Sequence, residues 1–107
     1  MKVAYERLLR KITKENLWLY ILKMLMERPM YAYEINKKLK ETFGFSTSTV
    51  TVYVVLYKMR REGLIQTGEE KTVLGRPVRK YYELTDRGSE NFFKGLKLLK
   101  DTLRSLE

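Results

Sequence analysis

The 107 residues include 22 Lys and Arg against 13 Asp and Glu, a formal charge of +9, with no histidine and no cysteine. That length makes one domain, and the two missing residue types exclude disulfides, thiolate or imidazole metal sites and every cysteine or histidine-assisted nucleophile. The excess of positive charge points to a polyanionic partner, nucleic acid before anionic membrane. Along the chain, Tyr5, Leu8, Leu9 and Ile12 fall at helical spacing, with Lys2, Glu6, Arg10 and Lys11 on the wet side. Thr13 is the expected N-cap of a second helix running to Glu27 or Arg28 and stopped by Pro29. Its most apolar stretch, residues 17–26, is ten residues long and contains Lys23. A membrane span needs about 20 apolar residues, so this is a core helix.

A third helix is predicted over Ala32–Phe43, with Ile35, Leu39 and Phe43 recurring every fourth position and Gly44 as its C-cap. Ser46, Thr47 and Ser48 offer caps for a fourth helix that reaches Glu62 and ends at Gly63. After Gly63 the period changes. Residues 64–67 and 80–84 read as strands about a turn at Leu74-Gly75-Arg76-Pro77, and Thr85 or Asp86 caps a last long helix. Two short helices, a tight turn and then a hairpin describe a winged helix-turn-helix, mainly α with a small β-hairpin. The expected division is a DNA-binding domain over residues 1–85 and a dimerisation helix over 86–107. In that helix Phe92, Leu96, Leu99, Leu103 and Leu106 are spaced 4, 3, 4, 3, the seam of a coiled coil. It predicts a homodimer, the alternative being a stripe that folds back on its own domain.

On a helical wheel, Val52, Val55, Leu56 and Met59 share the inner side of the fourth helix. The opposite arc holds Thr47, Val50, Val54, Tyr57 and Arg61, flanked by Thr51, Tyr53 and Lys58. A recognition helix presents its N-terminal residues to base edges. The hydroxyls of Thr47, Ser48 and Thr51 suit bases or phosphates, Val50 and Val54 suit thymine methyls, and Lys58 and Arg61 suit phosphates. An apolar outer arc requires a cover, either DNA or a second protein surface. In the hairpin, Lys71, Arg76, Arg79 and Lys80 place +4 in ten residues without an acid. Arg76, between Gly75 and Pro77, suits phosphates or a narrow minor groove.

Tyr53-Val-Val-Leu-Tyr-Lys-Met-Arg-Arg-Glu-Gly-Leu-Ile65, followed by Gly75-Arg-Pro-Val-Arg-Lys-Tyr-Tyr-Glu-Leu-Thr85 and Gly88, resembles the signature of PadR-type winged-helix transcriptional regulators. Pro29-Met-Tyr-Ala-Tyr-Glu-Ile35 is similar to the family's Pro-x-His-Gly-Tyr-Glu-Ile, with Tyr31 and Ala32 in place of His-Gly. Length and a single C-terminal helix suit the family's short branch. The resemblance implies a homodimeric DNA-binding regulator, usually a repressor, on a near-palindromic operator. Within it Tyr53 matches the recognition-helix tyrosine, Lys58 the basic position, and residues 75–80 the wing. It also implies an aromatic effector at the dimer interface in some relatives, for which Trp18, Phe92 and Phe93 are the candidates here, with core packing as the alternative role of these side chains.

Two alternatives use the same surface: a sequence-tolerant, chromatin-like DNA packer, or a protein-interaction winged helix that docks through Val50, Val54 and Tyr57. An enzyme is not expected, because Glu62 and Glu69-Glu70 have no visible partner group. Neither a metal nor another cofactor is expected. Without cysteine or a signal-like opening, the expected location is the cytoplasm.

Overall fold

Helix α2 (Leu17–Leu25) is apolar on nearly every side, which only a central position satisfies. The computed structural model of the chain, which describes residues 3–68 and 80–107, places it there, with Leu17, Ile21, Leu22, Met24 and Leu25 buried. Around it stand α1 (Val3–Ile12), α3 (Ala32–Phe43), α4 (Thr49–Arg61) and α5 (Asp86–Leu106), with strands β1 (Met30–Tyr31), β2 (Ile65–Thr67) and β3 (Tyr81–Leu84). The architecture is the mainly helical winged helix-turn-helix expected, with a small antiparallel sheet. No helix among the described residues is long and apolar enough to cross a membrane.

The beginning of the chain departs from expectation. Thr13 does not open a continuous helix. Its backbone (φ −120°, ψ −90°) breaks the run, a 3₁₀ turn follows at Lys14–Asn16, and Asn16 precedes α2. The Thr13 hydroxyl instead donates backward to the Leu9 carbonyl at 2.6 Å, closing α1. Helix α2 also stops at Leu25, short of Glu27. Proline at 29 disfavours helical backbone at Arg28, and the last turn already tightens as the Glu27 N–H bonds to the Met24 carbonyl at 3.1 Å.

The sheet has a strand that the sequence pattern does not reveal. Its order is β1-β3-β2, with Met30 opposite Tyr82 and Tyr31 opposite Tyr81. Two residues carry no alternation to read, and only the distant pairing makes them a strand. Strand β2 pairs β3 from Ile65 opposite Leu84 to Thr67 opposite Tyr82. The hairpin therefore leaves a three-stranded base.

Caps and glycines set the helix ends. The Ser48 hydroxyl accepts from the Thr51 N–H at 3.1 Å, opening α4. Gly44 and Gly63 both take φ of 77°. After α4, the Leu64 N–H reaches the Met59 carbonyl at 3.0 Å and Gly63 N–H the Arg60 carbonyl at 3.1 Å, the paired bonds of a Schellman stop. Thr85 then caps α5, accepting from the Gly88 N–H at 3.0 Å while its hydroxyl donates to the Gly63 carbonyl at 2.6 Å. These two bonds start α5 on the corner where α4 ends.

Glu34, at the third position of α3, reaches back to the Tyr31 N–H at 3.4 Å and pairs with Arg28 at 2.6 Å. Burial pushes its pKa up, but the bonds from Arg28 and Tyr31 and the charges of Arg28 and Lys38 outweigh that and hold it below the ordinary carboxylate value. A depressed folded pKa stabilises the protein above the unfolded value and loses that contribution as pH falls through the folded one. Glu34→Gln is therefore expected to lower the thermal midpoint at neutral pH, and the gap to the parent should shrink as the solution is acidified. An undiminished gap in acid, read by circular dichroism melts, would contradict this role.

Candidate nucleic-acid interface

Helix α4 is held by one face only. Val52, Leu56 and Met59 are buried and Val55 is half-buried against the core, so the helix packs on α2 and α3 as its wheel predicts. On the far side Val50, Tyr53, Val54 and Tyr57 are each at least 47% exposed. Four large side chains on one solvent-facing arc form a patch rather than scattered exposure. Lys58 and Arg61 are exposed beside it, and the Arg61 guanidinium lies over the Tyr57 ring at 5.9 Å.

The hydroxyl residues divide. Ser48 is committed to the cap, and its Oγ also shares a 2.8 Å hydrogen bond with Thr51 Oγ1. Both therefore shape the helix start whatever else they meet. Thr47 is half-buried just before that start. Burial raises the pKa of the Tyr82 hydroxyl, and the nearness of Tyr53 raises it further while Arg60 lowers it. Lys80 is exposed at the foot of the hairpin, where the Gly68 N–H bonds to the Tyr81 carbonyl at 2.9 Å. The expected wing-tip residues Lys71, Arg76 and Arg79 lie outside the described residues. Among the described residues no group of acids could hold a metal ion.

The sequence that builds this half-buried helix and the strands after it matches a family model. The model of the transcriptional regulator PadR-like family matches residues 21–94, well over half of the chain. The chain belongs to the PadR-like family of transcriptional regulators. It is similar to a PadR-like regulator of Bacillus cereus, 31% identical over 90% of this chain and 95% of that one, with a TM-score of 0.68. A PadR-like transcription factor of Bacteroides fragilis is 27% identical over 94% and 99%, with a TM-score of 0.74. The PadR of Bacillus subtilis, solved with operator DNA, is 28% identical over 75% of this chain and 45% of its own length, with a TM-score of 0.68. No curated protein matches the sequence significantly.

The surface expected to join two PadR-type chains is also split by the fold. Phe92 is buried and Leu96 packs against the domain core, so the first two seam positions are occupied within one chain. Leu99, Leu103 and Leu106 are exposed, as are Phe93 and Leu98. Helix α5 packs on α2, with Gly95 close to Trp18 and Leu19, and Leu98 and Leu99 border the cleft beside them. Helix α1 adds a second uncovered face, with Val3, Tyr5, Leu8, Leu9 and Ile12 all exposed and no residue of the helix buried. Its periodicity was legible in the sequence, but its lack of a cover was not.

Of the three aromatic effector candidates, Trp18 lines a cleft that includes neither Phe92 nor Phe93. Trp18, whose indole N–H donates to Asn16 Oδ1 at 3.1 Å, lines a cleft of ≈180 Å³ with Ile12, Leu19, Leu98 and Leu99. Phe92 is buried, and Phe93 meets it edge-on at 5.4 Å while facing solvent. The residue that sequence reading missed is Gly95. A Cβ there would stand 3.1 Å from both Trp18 and Leu19, so its missing side chain opens the cleft floor.

Proposed function

We propose that this PadR-family chain is a homodimeric DNA-binding repressor of a near-palindromic operator, with α4 in the major groove and the basic wing on phosphates or in the minor groove. The observation that carries this reading is the outer arc of α4, where Val50, Tyr53, Val54 and Tyr57 stand exposed beside Lys58 and Arg61 on a helix whose inner face is fully used. Methyl-bearing and basic side chains on one arc match thymine methyls and flanking phosphates. Two such arcs related by a dyad through α5 and α1 would read half-sites one turn apart, about 34 Å. The family and the operator complex of the Bacillus subtilis relative support the same reading.

The experiment is in vitro selection of bound duplex from a random pool, followed by affinity measurements on the winner and on random duplex across a salt series. The expected product is an inverted repeat bound at least about a thousandfold more tightly than random duplex. Equal affinity for all sequences with a steep salt slope would instead make the chain a chromatin-like packer. No affinity for any duplex would leave the exposed arc as a protein-docking face.

A further inference from the structure

Helix α3 carries three lysines, and the fold treats them differently. Lys38 turns toward α2's end and pairs with Glu27 at 3.7 Å. Lys37 and Lys40 are exposed and form no ion pair among the described residues, although Glu41 stands one turn beyond Lys37. With Tyr33 they fall at i, i+4 and i+7, one stripe of the helix. That stripe forms one wall of a groove of ≈240 Å³ whose other wall is Ser46 and Thr47, the turn leading into α4. Its lining offers two ammonium groups and three hydroxyls, and no carboxylate.

We propose that this groove between α3 and the start of α4 holds backbone phosphates of the DNA strand that flanks α4, so that α3 sets the register of the recognition helix. The inference rests on the DNA-binding reading above and extends it to residues of a different helix. Ammonium and hydroxyl donors without a competing acid are what a phosphodiester requires, and such contacts position a protein without reading sequence. Place decides the strand. The groove opens beside Thr47, immediately before the helix end that meets base edges, and the first helix of a helix-turn-helix crosses the backbone there. The two helices are also tied at this point, since the Asn36 side-chain amide donates to Thr49 Oγ1 at 3.4 Å. A phosphate held by α3 thereby fixes the first residue of α4.

The test measures binding to the selected duplex and to random duplex over a salt series for Lys37→Gln, Lys40→Gln, the double variant, the double Arg variant and Lys38→Gln. Each groove lysine is expected to contribute about 0.9 to the slope of log affinity against log salt, so the double variant should lose about 2. Its operator affinity at fixed salt should fall roughly tenfold. The ratio of operator to random affinity should stay constant, because phosphates carry no sequence. Lys38→Gln should keep the parent slope, and the double Arg variant should restore it. A double variant with the parent's slope and affinity overturns the groove while leaving DNA binding by α4 intact. A Lys38→Gln loss as large as the others also overturns it, since the effect would then be general charge. A parent that binds no duplex overturns both readings together.

Discussion

Leu99→Asp/Leu103→Asp is expected to yield a folded monomer that binds the operator about a hundredfold more weakly, or worse. In the single chain these leucines are 46% and 60% exposed, so aspartate at either position meets water and leaves Phe92 and Leu96 undisturbed. In a dimer joined through α5, the same carboxylates would be desolvated against leucines of the second copy, and an unpaired buried charge is strongly unfavourable. Sedimentation should report half the parent mass with an unchanged helical circular dichroism signal. The affinity loss follows because two tethered recognition helices act at millimolar effective concentration, and separating them removes that gain. A double variant that remains dimeric would rule out the exposed half of α5 as the joining surface.

Gly88→Ala is the substitution expected to cost the fold most. A Cβ at this position would lie 2.1 Å from the Leu64 carbonyl oxygen and 2.9 Å from Leu84 Cδ1. The carbonyl cannot withdraw freely, because it accepts from the Thr85 N–H at 3.2 Å, and Thr85 in turn caps α5. Helix propensity alone would favour alanine by about 1 kcal/mol. Forced separation of α5 from the Gly63–Leu64 corner reverses the sign, for a net loss of about 3 kcal/mol. In a domain of this size that lowers the thermal midpoint by about 15 °C. Gly95→Ala makes the useful contrast. Its new Cβ meets only the side-chain ends of Leu19 and Trp18, at 3.1 Å, which can shift slightly. Melts of both variants at one protein concentration should place Gly88→Ala far below Gly95→Ala. Equal midpoints would show that the corner yields.

The two substitutions mark how far the sequence could be read. Gly88 belongs to the motif that carries the family resemblance, but its role depends on a carbonyl 24 positions earlier in the chain. Leu103 and Phe92 belong to one heptad pattern and look equivalent along the chain. In space one is exposed and the other is buried in the core. The outer arc of α4 was legible because one helix wheel contains both its core face and its free face. The α3 groove was not, since Tyr33, Lys37 and Lys40 meet Ser46 and Thr47 only after the chain turns at Gly44.

By itself the sequence determined the helices α3, α4 and α5 nearly to the residue, the two hairpin strands, the winged helix-turn-helix they compose and the basic character of the hairpin. Those features are set by neighbours within a few positions: periodic apolar residues, hydroxyl caps and glycines with positive φ. Tertiary structure alone decided that Met30–Tyr31 is a strand and that the α5 seam divides between core and surface. It also decided that the stripe on α1 has no cover among the described residues. Each of these depends on which distant surface arrives opposite a residue. A period describes which side of an element is apolar, and only packing determines what that side meets.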